Sequence, residues 1–155
     1  MKSRSGIKVI ANNRRATFDF HLLDRFEAGL VLTGTEIKSI RDHQVSLQRS
    51  YVQARENELW LIDANIAPYK HGNRENHEST RPRKLLLHRR EINKILSGLA
   101  QKGLTVVPTK LYLKNGIAKI EIALARGKAQ HDKRSDIAKR DAQRQVERAL
   151  REKYR

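Results

Sequence analysis

Cysteine is absent from this 155-residue chain, so a disulfide framework and a thiolate metal site are both excluded, and a reducing cytoplasm is the fitting compartment. No run of about 18 apolar residues occurs, so no membrane span is expected. The basic start is followed by Asn12, Asn13, Arg14 and Arg15 rather than an apolar stretch, so no secretory signal is expected. Acidic residues are scarce. Seventeen Asp and Glu stand against 33 Lys and Arg, for a net charge of +16. A field of that sign and size attracts polyanions, nucleic acid most often and an anionic membrane surface as the lesser reading.

Catalytic signatures are also lacking. There is no His-Glu-x-x-His, no glycine-rich phosphate loop and no Gly-x-Ser-x-Gly. The six histidines (21, 43, 71, 77, 88 and 131) are scattered. His131 beside Asp132 resembles a base and its orienting partner, but a segment so short of apolar residues offers nothing to hold the pair dry and fixed. Aromatic residues are few, and the RNP-type aromatic motif and the KH-type Gly-x-x-Gly clamp are missing.

The residues that are present suit one modest domain, mostly β, with a tail of different character. Residues 18–22 alternate apolar and polar, the period of a half-buried strand. Thr33 followed by Glu36 three positions on is a capping box, with Ile37 and Ile40 behind it in a short helix. The runs 51–55 and 59–62 flank Glu56-Asn57-Glu58, a tight strand–turn–strand pattern. Asn115-Gly116 between the runs 104–114 and 117–125 is a strong hairpin signal, since both residues tolerate positive φ. Ile92, Ile95, Leu96 and Leu99 fall at i, i+3, i+4 and i+7, a core-facing helical stripe that Gly103 is placed to end. The polar stretch 70–80 reads as a mobile loop.

These elements predict a small closed barrel over residues 1–125. Residues 126–155 are basic and poor in aliphatics, and their stripe of Ala138, Ala142, Val146, Ala149 and Leu150 buries too little to order them alone. A tail disordered when free and helical when bound is expected.

Two arginine-rich clusters stand out, Asn13-Arg14-Arg15 and Arg81-Pro82-Arg83-Lys84. Guanidinium groups bind phosphate bidentately, and an ordinary solvated surface is the alternative. His88, with Glu91 three positions on, is read as a helix cap, and the neighbouring Arg89 and Arg90 are free to face a groove of RNA.

The order of segments carries a resemblance. Phe26-Glu27-Ala28-Gly29-Leu30, Thr33-Gly34-Thr35-Glu36-Ile37-Lys38-Ser39, Ser50-Tyr51-Val52, Arg83-Lys84-Leu85-Leu86-Leu87, Leu111-Tyr112-Leu113-Lys114-Asn115-Gly116, Ala125-Arg126-Gly127-Lys128 and His131-Asp132-Lys133-Arg134 together closely resemble the small protein B family, the SsrA-binding proteins of bacteria. The resemblance spans nearly the whole chain. It implies an oligonucleotide-binding-type closed barrel of six antiparallel strands with three helices. It also implies a non-catalytic adaptor, without cofactor, that carries the tRNA-like domain of transfer-messenger RNA to stalled ribosomes. Carried over by position, the RNA-binding face comprises Asn13, Arg14, Arg15, Glu27, Leu86 and His88, to which the cluster reading adds Arg83 and Lys84. His88 stands where members often have Asn. Glu27 has two readings, acceptor from a base or ribose hydroxyl, or partner of a neighbouring Arg. The ribosomal decoding-centre contact comprises Gly127, Lys128, His131, Asp132, Lys133 and Arg134, with Ala129 where members commonly have Lys. The rival functions are a resident ribosomal protein, which composition alone does not separate, and an RNA-processing enzyme, which would need an acidic cluster not seen here.

Overall fold

The computed structural model describes residues 6–71 and 76–153. Nine strands and four helices follow in the order β1 (Ile7–Asn12), α1 (Arg14–Asp19), β2 (Phe20–Leu30), α2 (Gly34–Arg41), β3 (Val45–Ser46), β4 (Tyr51–Arg55), β5 (Glu58–Ile62), β6 (Asn65–Ile66), β7 (Arg83–Leu86), α3 (Arg89–Leu99), β8 (Leu104–Lys114), β9 (Ile117–Gly127) and α4 (Gln130–Lys153).

The closed six-stranded barrel with three helices is not what forms. Seven strands make one open antiparallel sheet in the order β1-β8-β9-β2-β7-β5-β4, with β3 and β6 in a separate two-stranded ribbon and four helices instead of three. The sheet curls until β4 packs against β8, but the two share no ladder. One edge of β8 pairs with β9, and β1 pairs with the other edge over residues 110–114.

Local chemistry sets most of the elements. Thr33 caps α2 by accepting from the Glu36 N–H, while the Glu36 carboxylate accepts from the Thr33 N–H at 2.8 Å. At α3 the Glu91 carboxylate reaches back to the His88 N–H at 3.3 Å. The β8–β9 turn holds Asn115 at φ 51° and Gly116 at φ 82°, and the β4–β5 turn holds Glu56 and Asn57 at φ 51° and 62°. These are the left-handed values that two-residue hairpins require. Ile92 and Ile95 are buried on α3. Gly98 lets that helix approach β9, because a Cβ there would sit 2.6 Å from Leu124.

Residues 18–22 are not one strand. Residues 14–19 form α1, with Ala16 buried and an Arg15–Asp19 pair at i,i+4, and β2 begins only at Phe20. Of the stretch 70–80, residues 72–75 lie outside the described part. The rest is tied down: Asn76 exchanges hydrogen bonds with the Tyr69 backbone, and His77 bridges Thr35 Oγ1 and the Ile66 carbonyl.

The core lies on the inner face of the curled sheet, under α2 and α3, and includes Ala28, Ile40, Leu59, Leu85, Ile95, Leu111, Ile120 and Ile122, each fully enclosed. Into it runs a charged group. Arg83 and Glu36 are both fully buried. Arg83 Nε donates to Glu36 Oε2 at 2.6 Å and Nη1 to the Ala64 carbonyl at 2.7 Å. Arg81 reaches the other Glu36 oxygen at 2.5 Å.

Candidate nucleic-acid interface

Because side chains alternate along a strand, the residues paired across the ladder from outward-facing positions share the outer face. One row runs Tyr112 (β8), Lys119 (β9), Gly29 (β2), Leu86 (β7). The next runs Asn12, Lys110, Glu121, Glu27. Lys84 and Trp60 pair beyond. Glu27, Leu86 and Lys84, widely separated in sequence, thus meet on one surface, with Leu86 half-exposed against the bare backbone of Gly29. His88 follows β7 directly as the exposed cap of α3.

Glu27 is held in place. Its Oε2 accepts from the Tyr112 hydroxyl at 2.6 Å, and Lys114 Nζ lies 3.4 Å from both oxygens. The Tyr112 bond holds the Glu27 carboxyl below the usual carboxylate range against the opposing effect of burial, with Lys114 and Lys119 adding to it. Burial, and then the Glu27 charge, push the Tyr112 hydroxyl well above its ordinary value. Tyr112 is thus a neutral donor throughout the physiological range, and Glu27 an anion facing solvent.

A cleft of about 240 Å³ carries this surface on to α1, between Arg14 and the side chains of Arg25, Lys110 and Glu121. Arg25 pairs with Glu121 at 3.3 Å. The sequence reading missed Arg25, Lys110, Tyr112, Lys114 and Lys119. Their signal was the outward register of β2, β8 and β9, visible only once the ladder is known.

The predicted residues of α1 divide. Arg14 and Arg15 are exposed. Asn13 is only 6% exposed and fastens α1 to β8, its backbone N–H on the Thr109 carbonyl at 2.8 Å and its Nδ2 on the Pro108 carbonyl at 2.9 Å. Its buried Oδ1 has no hydrogen-bond partner among the described residues. On the far side of α1 a groove of about 290 Å³ is lined by Asn13, Arg15, Asp19, Arg49 and Tyr51 among others.

Arg83 does not join this surface. Lys84 faces out, so strand alternation turns Arg83 inward, where Glu36 is its counter-ion. Burial lowers the Arg83 guanidinium, and Glu36 opposes that.

The predicted tail residues lie beside α1. Gly127 ends β9, paired with Phe20. The Lys128 backbone N–H donates to the Asp19 carbonyl at 2.9 Å and its Nζ to the Thr17 carbonyl at 3.0 Å. Nζ also pairs with Asp136, which holds that carboxyl below its ordinary value. Lys133 pairs with Asp19 at 3.2 Å, and Asp132 lies 3.5 Å from His21 Nε2 and 3.1 Å from His131 Nε2. The Phe18 ring carries Lys133 and Arg140 over it, at 5.8 and 5.3 Å. His131 and Arg134 are exposed. Beyond Arg140 every described residue of α4 is exposed. Gln130–Lys153 thus form one helix, α4.

Among the described residues no three His, Asp or Glu gather to hold a metal, and no helix is long and apolar enough to cross a membrane.

Known proteins resemble this chain over most of its length. The family model described as SmpB protein matches residues 10–152. The SsrA-binding protein of Carboxydothermus hydrogenoformans is 53% identical over 147 residues, covering 95% of this chain and 99% of that one. That of Geobacillus kaustophilus is 51% identical over 148 residues, 96% of each. A chain of the solved structure described as "tmRNA-SmpB: a journey to the center of the bacterial ribosome" superposes with a TM-score of 0.65 at 44% identity, covering 77% of this chain and 84% of that one. With the family model spanning most of its length and relatives at about half identity, the chain belongs to the SmpB family.

Proposed function

We propose that this protein is a non-catalytic adaptor that binds the tRNA-like domain of transfer-messenger RNA and delivers it to stalled ribosomes in the bacterial cytoplasm. The observation that carries this reading is the continuous outer strip from Lys84 and Leu86 through Lys119, Glu27 and Lys110 to Arg14, at one end of which the basic helix α4 departs. Lysines and arginines along the strip neutralise phosphates. Glu27 accepts from a base N–H or a ribose 2′-hydroxyl, the group that separates RNA from DNA. Leu86 over Gly29 offers a flat apolar spot for a base. His88 and Arg15 extend the face at its two ends, and Asn13 supports it from beneath. The body, residues 1–125, and the tail, residues 126–155, then meet two RNA surfaces. The tail enters the empty decoding centre and message channel through Gly127, Lys128, His131, Asp132, Lys133 and Arg134, with His131 stacking on a base.

The test is binding of the full-length protein to the tRNA-like domain and to an unrelated duplex of equal length at several salt concentrations. Electrostatics alone gives similar affinities that fall together with salt. A preference of about a hundredfold, worth about 2.7 kcal/mol, supports the adaptor. Equal binding refutes it and favours a general rRNA-binding protein.

A further inference from the structure

We propose that Trp60 is an aromatic platform on which an unpaired base of the bound RNA stacks, extending the outer face one strand beyond Leu86. The inference deepens the adaptor reading and rests on it for the identity of the RNA. Leu59 and Leu61 are both buried in the core, so alternation along β5 turns Trp60 to the outer face, where it stays partly accessible. There it lies in one cross-strand row with Lys84 on β7 and Gln53 on β4. Leu86, two residues along β7 from Lys84, is its diagonal neighbour at about 7–8 Å, a separation across which an aromatic side chain reaches. On the other side of Lys84 stands Val31, just past β2, exposed and with its N–H donating to the Lys84 carbonyl at 3.0 Å. Trp60, Leu86 and Val31 thus border Lys84 on three sides.

An apolar border around a cation, on the outside of a chain of net charge +16, suits a nucleotide of single-stranded RNA. Lys84 meets the phosphate and the indole meets the base, since every base has a π face to offer. Leu86 and Trp60 then hold successive unpaired bases. The ring is carried by a braced element. Arg89 at the start of α3 reaches over the β4–β5 turn to the Asn57 carbonyl at 2.8 Å and to Glu58 at 2.7 Å. Arg55 on β4 is fixed to the Gln53 side chain at 2.9 Å, which places a further cation beside the row. Strand propensity alone is served equally well by isoleucine at this position, and that alternative sets the choice of variants.

Trp60 is the only tryptophan of the chain, so the emission of the full-length protein reports this position alone and needs no variant. Titration with the tRNA-like domain is expected to quench that emission in parallel with binding measured by filter retention. A duplex of equal length, whose bases are all paired, is expected to leave it nearly unchanged. Trp60→Ile is expected to weaken the tRNA-like domain about fivefold or more at an unchanged salt slope. Trp60→Phe keeps an aromatic face and is expected to stay within about twofold of the parent. Emission unmoved at saturation, or a Trp60→Ile variant that binds like the parent, overturns the platform and leaves the adaptor reading standing. Equal binding of the parent to both RNAs refutes the adaptor reading instead. In that event a single-stranded oligoadenylate decides the platform: quenching on binding supports it, and binding without quenching overturns it.

Discussion

Glu36 sits among side chains that all need it charged. Burial alone would raise its carboxyl, but hydrogen bonds from Arg81, the Thr33 N–H and Arg83 outweigh burial and bring it down to about 2 from an ordinary 4.5. The folded state therefore holds its proton more weakly than the unfolded chain. The resulting stability, about 3 kcal/mol at ~1.4 kcal/mol per pK unit, is present above pH 4.5 and is lost as pH falls from there towards 2. Glu36→Gln should destabilise the protein by about 3–5 kcal/mol at pH 7, since it leaves Arg83 buried beside a neutral group. It should also flatten that part of the acid slope; denaturant titrations at stepped pH would show both, and an unaltered slope would count against the assignment. Tyr112→Phe should let the Glu27 carboxyl rise towards its ordinary value, readable by carboxyl NMR titration, and an unmoved Glu27 would mean that Lys114 alone holds it. Residues such as these were only half legible in the sequence. Arg83 and Lys84 look alike as adjacent cations, and what separates them is a counter-ion 47 positions away that no local pattern announces.

Elements whose signal is local and redundant were readable. The α2 capping box, the α3 stripe and the Asn115-Gly116 turn are each written within a few residues. Gly116→Val should cost about 1–2 kcal/mol, because a β-branched side chain is strained at φ 82°. A urea midpoint shift checks this, and no shift would show that the hairpin turn relaxes. The last two residues of α1, Phe18 and Asp19, were read as the start of a strand, and the helix before them was not foreseen. Six residues carry little periodic signal, and Phe18, Phe20 and Leu22 satisfy alternation by accident of the α1–β2 junction. The Arg15–Asp19 spacing was the clue available. Closure of the sheet was beyond local reading altogether, since it turns on whether the end strands β1 and β4 pair, and such pairings are distant in sequence.

For the molecule as a whole, a net charge of +16 means that affinity for any RNA will fall steeply with salt. Discrimination must come from the few placed groups of the outer face. Lys119→Ala should weaken binding to the tRNA-like domain and to a control duplex by similar factors and reduce the log–log salt slope by about one. Leu86→Ala should weaken the tRNA-like domain more than the control while leaving the slope unchanged. Filter binding across a salt series separates the two, and identical behaviour of both variants would mean that the face does not discriminate. The sequence named Glu27, Leu86 and the tail residues through resemblance, while the lysines around them emerge only from strand register.

Helix α4 is 24 residues long, about 36 Å at ~1.5 Å per residue, and its contacts with α1 and β2 fall on residues 132, 133 and 140. That makes it a lever. The portion past Arg140 extends roughly 20 Å from its bearing, so a tilt of about 10° at α1 sweeps the tip through roughly 3–4 Å, more than the length of a hydrogen bond. A substitution as small as one methylene at the bearing, Asp19→Glu for instance, can therefore misplace a distant tip whose own residues are untouched.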